Sequence, residues 1–137
     1  MADESDLNDS EAMVASIVAF LAEGGVRQQD VTIEELGYDQ DAERIRLFRD
    51  AMLWLLNEGA IASGFKDKRN QFKNRNPFTA RQFYLTSKGY DLLSMKFEGS
   101  LTLGAAIKQT QSSGTGYANL GTFFGGILGG FTKSVSS

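Results

Sequence analysis

Leu53-Trp-Leu-Leu-Asn-Glu-Gly-Ala-Ile61 and Phe83-Tyr-Leu-Thr-Ser-Lys-Gly-Tyr-Asp-Leu-Leu93 are the two stretches whose reading decides the fold. In the first, apolar residues at helical spacing stop at Gly59, the kind of residue that closes a helix in the left-handed conformation. Beyond it Ile61, Ser63 and Phe65 alternate as in a strand. The second stretch begins as an answering strand from Arg81 to Leu85, and Thr86 then offers an N-cap for a helix through Leu92 and Leu93. A helix, a strand, a long connection, a strand and a helix therefore follow one another.

Working back from this centre, Ile45, Phe48, Met52, Leu55 and Leu56 form the stripe of a long helix capped by Asp39 or Asp41. Thr32-Ile-Glu-Glu35 has the form of a capping box leading into a short helix closed by Gly37, which presents Ile33 and Leu36 to a core. Val31 reads as a one-residue strand stub before it. A second box, Asn8-Asp-Ser-Glu11, places the start of a first helix near residue 10, and Gly24-Gly25 ends it near 23. Trp54 and Leu55 are expected in or beside one core dominated by the apolar run from Ala51 to Leu56.

Three helices followed by a two-stranded hairpin form an α+β layout. The two quoted stretches resemble the end of the third helix and the strand-to-helix exit of winged helix-turn-helix proteins, the Leu-Thr-x-Lys-Gly-x-x-Leu-Leu form being the more specific. The layout is also similar to small uncharacterised winged-helix proteins of bacteria and phages that carry a C-terminal helical tail. The resemblance covers about residues 8 to 95 and implies a fold more firmly than a function. The expected organisation is a disordered acidic segment at 1–9, the winged-helix domain at 10–98, a polar Gly/Ser/Thr/Gln linker at 99–116 and a glycine-rich amphipathic tail at 117–137.

Chemistry is bounded by what is missing. The 137 residues contain neither cysteine nor histidine, which removes disulfides, thiolate metal sites, the usual proton shuttle near neutral pH and the commonest metal ligand. The carboxylates gather where helices begin and not as a pair in an apolar run. This argues against an enzyme, and no cofactor or metal is called for. No signal peptide is recognisable in the acidic start, so a cytoplasmic location is expected.

Charge is strongly segregated beneath a net of −3. Residues 1–60 hold fourteen acids and four bases, whereas residues 61–88 hold seven bases and one acid. The basic loop between the two hairpin strands also carries Phe72, Phe78, Asn70, Asn74 and Asn76, groups able to stack on bases or bond to them. Lys66, Lys68, Arg69, Lys73, Arg75 and Arg81 on the wing, with Arg44, Arg46 and Arg49 on the third helix, are the candidate nucleic-acid contacts, and double-stranded DNA is the partner they suit. The alternative for the wing is a solvated hairpin whose phenylalanines fold back onto the core. Asp39, Asp41 and Glu43 at the start of the third helix suit its positive dipole end but oppose phosphates. A protein-binding module using that acidic face therefore stays a rival reading.

The tail poses a separate question. Leu120, Phe123, Phe124, Ile127, Leu128 and Phe131 form one helical stripe among Gly121, Gly125, Gly126, Gly129 and Gly130. Each glycine costs nearly 1 kcal/mol in a helix relative to alanine, so such a helix needs a partner to cover it. Self-packing, homodimerisation or a protein partner fits better than a membrane surface, because Lys133 is the one base nearby, and a flexible unpaired tail is the remaining alternative. Tyr117 to Phe131 is also shorter than the ~20 apolar residues of a membrane-spanning helix.

Overall fold

The computed structural model describes residues 4–74, 78–94, 102 and 104–105, with side chains from Ser10 onward except that of Glu11. Its elements are α1 (Glu4–Glu23), β1 (Gln29–Thr32), α2 (Ala42–Asn57), β2 (Ile61–Ser63), α3 (Lys68–Gln71), β3 (Phe72–Lys73), β4 (Thr79–Leu85) and α4 (Ser87–Leu93). The class is α+β with an antiparallel sheet. The tail stripe from Leu120 to Phe131 lies outside the described residues.

β4 is the centre of the sheet. Ala80 pairs with Val31 of β1 and with Phe72 of β3, so those strands flank it on opposite sides. On the β3 side the partner farther along is β2, with Ile61 opposite Leu85 and Ser63 opposite Phe83. The register against β1 is broken between Gln29 and Val31, where β4 carries an extra residue. That bulge has a packing reason. Ala80, Phe83 and Leu85 are all buried, yet a regular strand turns residues 80 and 83 to opposite faces. The added residue restores the phase and leaves Arg81 and Gln82 together outside the core.

α1 packs on both α2 and β4, and every residue from Met13 to Ala19 is buried. A helix covered this fully must be small and apolar on all faces, as Met-Val-Ala-Ser-Ile-Val-Ala is. The one polar member, Ser16, donates to the Ala12 carbonyl at 2.9 Å and shares a hydrogen bond with the Tyr38 hydroxyl at 2.9 Å. Seven buried apolar residues come from α1 and four, Phe48, Ala51, Met52 and Leu55, from α2. At about 1.5 to 3 kcal/mol for each large side chain removed from water, α1 is the larger contributor. The run from Ala51 to Leu56 therefore does not dominate the core as expected: Leu53 is exposed, while Trp54 and Leu56 pack at its margin.

Four local expectations need correction. Helix α1 starts at Glu4, not near residue 10, and runs through the Asn8–Glu11 box. The strand expected as a stub at Val31 has four residues. The short helix expected after Thr32 is a turn at 33–37. Thr32 does accept from the Glu35 amide at 3.2 Å, but Gly37 N to Glu34 O and Tyr38 N to Ile33 O close the segment before a helix can propagate. Ile33 and Leu36 are buried as expected. Finally, the connection from 66 to 80 is not a plain exposed loop, because it contains α3 and β3 and its end belongs to β4.

Candidate nucleic-acid interface

The basic hairpin begins where α2 stops. Gly59, at a φ of 80°, closes the helix through Gly59 N to Leu56 O and Ala60 N to Leu55 O, and the chain turns into β2. Ser63 Oγ donates to the Arg81 carbonyl at 2.8 Å and accepts from Phe65 N at 3.1 Å, fixing the exit from β2. Asp67 then caps α3, its carboxylate accepting from Arg69 N at 3.0 Å. Gln71, at the far end of α3, is buried and donates through Nε2 to the Phe65 carbonyl at 2.8 Å.

Aromatic rings hold this polar segment down. Phe72 lies 5.4 Å from Phe83 and 5.8 Å from Phe78, and Phe78 meets Phe48 of α2 edge-on at 5.9 Å. Phe72 and Phe78 are thus packed against the core, the second of the two roles their sequence allowed, and are not presented for stacking on bases. The cations are presented: Lys66, Lys68, Arg69 and Lys73 are exposed, with Asn70 among them and Asn74 just beyond. Arg81 is half-buried, its guanidinium 4.4 Å from the centre of the Phe65 ring. Arg75 and Asn76 lie outside the described residues.

The arginines of α2 have different surroundings. Asp41 accepts from Arg44 N at 2.8 Å, pairs with Arg44 Nε at 3.6 Å, and leaves that guanidinium 5.4 Å above the Tyr38 ring. Arg49 Nε lies 3.9 Å from Asp50. Such exposed pairs add little stability, but they compensate charge locally. Arg44 and Arg46 line a groove of about 710 Å³ whose walls include Asp41, Glu43 and Asp50, with Met13, Tyr38 and Leu47 as its less polar part. The eight described candidate cations therefore fall into two sets, one on the hairpin with few acids and one on α2 mixed with carboxylates.

Two features of this surface escaped the sequence reading: the stack of Arg81 on Phe65, and Gln82 at a φ of 54°. Three residues from Ala80 to Phe83, against two from Phe83 to Leu85, was the available sign of a bulge there. Among the described residues no group of three or more Asp or Glu could hold a metal ion, and no helix is long and apolar enough to cross a membrane. Comparison of the chain with family models, curated proteins and solved structures finds no match.

Proposed function

We propose that this chain is a winged-helix protein that binds nucleic acid without catalysis, using the β2–β4 hairpin as a basic wing. The order α1, β1, α2, β2, hairpin and β4, with β4 between β1 and β2, supports the winged-helix reading. Its departure from that pattern is the second helix, reduced to the turn at 33–37. The observation that carries the function is the hairpin itself, four exposed cations on a segment pinned from beneath by Phe72 and Phe78. Phosphate contacts need positive charge, and a hairpin pinned to the core presents it on a fixed backbone. Double-stranded DNA and a regulatory role inside the cell go with this reading.

The test is a titration of mixed-sequence duplex DNA at several salt concentrations. Lys68, Arg69, Lys73 and Arg75 changed together to alanine weaken binding to all sequences and flatten the plot of log affinity against log salt by about 0.9 for each phosphate left without its cation. Unchanged affinity in that variant removes the wing from the reading. The mixed-charge groove between α1 and α2 favours a second reading, a protein-binding module. In that case changes at Glu43 and Asp50 abolish partner capture and leave the DNA titration as it was.

A further inference from the structure

Gln82 is the one residue other than glycine with a positive φ among the described residues, at 54°. A side chain in the left-handed region is disfavoured, and glycine is the usual occupant. Backbone needs explain the conformation: Gln82 N donates to Asp30 Oδ1 at 2.9 Å, and its carbonyl accepts from Gly64 N at 2.8 Å. They do not explain the side chain, which is exposed, outside the core cluster and, among the described residues, without a hydrogen bond of its own. Glycine would satisfy the same two backbone bonds without the strain. A strained side chain that the fold does not use points to something outside the molecule.

Its neighbours narrow the choice. The bulge leaves Arg81 beside it, stacked on Phe65, and Lys66 follows Phe65 in the chain. Asp30, which fixes the Gln82 amide, puts a carboxylate at this spot and makes it unsuitable for a phosphate. A neutral polar side chain next to Arg81 in the strand suits a base edge better than a phosphate. A carboxamide offers one acceptor and one donor together. In the major groove only adenine answers both at once, through its N6 amino group and N7, while guanine presents two acceptors and cytosine or thymine one matching group.

Resting on the reading of the hairpin as a nucleic-acid-binding wing, we propose that Gln82 is its base-reading residue, pairing through its carboxamide with the N6 and N7 edge of adenine. The experiment selects bound duplexes from a randomised pool with the full chain, Gln82→Gly and Gln82→Glu, and measures thermal unfolding of each. The full chain enriches adenine at one position, by about tenfold for a two-bond contact. Gln82→Gly loses that enrichment, keeps the salt dependence carried by the lysines and arginines, and unfolds about 4 °C higher as the backbone strain is relieved. Gln82→Glu shifts the position toward cytosine, whose N4 amino group a carboxylate accepts.

Salt-dependent binding that is blind to base sequence, or enrichment that survives Gln82→Gly, overturns the proposal and leaves the basic wing standing. A lower unfolding temperature in Gln82→Gly overturns its premise, since the side chain would then serve the fold. Absence of any salt-dependent binding by the full chain overturns the wing and this inference together.

Discussion

Gly89 stands where α4 crosses the end of α2, and any Cβ built there meets the carbonyl oxygen of Ala60. The crossing is close because Thr86 fastens it twice, donating through its amide to Ala60 O at 3.0 Å and through its hydroxyl to Gly59 O, while the same hydroxyl caps α4 by accepting from Gly89 N at 3.2 Å. The Leu-Thr-x-Lys-Gly pattern thus has a local physical cause whatever the chain does. Gly89→Ala should cost about 2 kcal/mol in urea unfolding, because the clash is with backbone and cannot be relieved by a rotamer change. Gly25 makes the control: its φ is 67° and a Cβ there meets nothing within 4 Å, so alanine should cost about 1 kcal/mol from conformation alone. Equal losses at the two positions would mean that the Ala60 carbonyl yields easily.

The hairpin shows at the level of elements where sequence reading succeeds and where it stops. Caps and closures were legible, because Asp41, Thr86, Gly37 and Gly59 act on groups within a few residues of themselves. The true start of α1 at Glu4 is not marked in the sequence, since the acids ahead of Asn8 suit the first turn of a helix as well as they suit solvent. Phe72 and Phe78 could not be placed from the sequence. They stand apart in a polar run without periodicity, and what settles them is Phe48 and Phe83 arriving from α2 and β4. The site divided in the same way: the hairpin cations were legible as a charge run, but the pairing of Arg44 with Asp41 and the strain at Gln82 depend on backbone geometry. Phe72→Ala tests the pinning. Losing a partly buried ring should cost about 2 kcal/mol, and hydrogen exchange should quicken at amides 68–80 before those of α1. Uniform loss of protection across the domain would show that the hairpin opens only with the whole fold.

At the scale of the molecule, the core formed among the described residues lies ahead of the tail in the chain. Its buried apolar members run from Met13 to Leu85, with Leu92 and Leu93 packed against them, and a Cβ at Gly104 would come within 3.1 Å of the Leu93 carbonyl oxygen. Removing residues 112–137 therefore takes away none of these groups, and the truncated chain should still unfold in one cooperative transition. What should change is association, for two opposed reasons that the tail sequence contains together. Six large apolar residues on one stripe form a surface that water does not favour, while Gly121, Gly125, Gly126, Gly129 and Gly130 work against a helix that stands alone. Covering the stripe with a second copy resolves both, because glycines four apart let two helices approach closely. Sedimentation of the full chain should show a larger species than the truncated one, and Gly125→Leu with Gly129→Leu should return the full chain to the truncated state by blocking the close approach. A full chain that associates equally well with both leucines in place would mean that the stripe sits in a roomier groove or on another partner, and a truncated chain that fails to fold would make the tail part of the core after all.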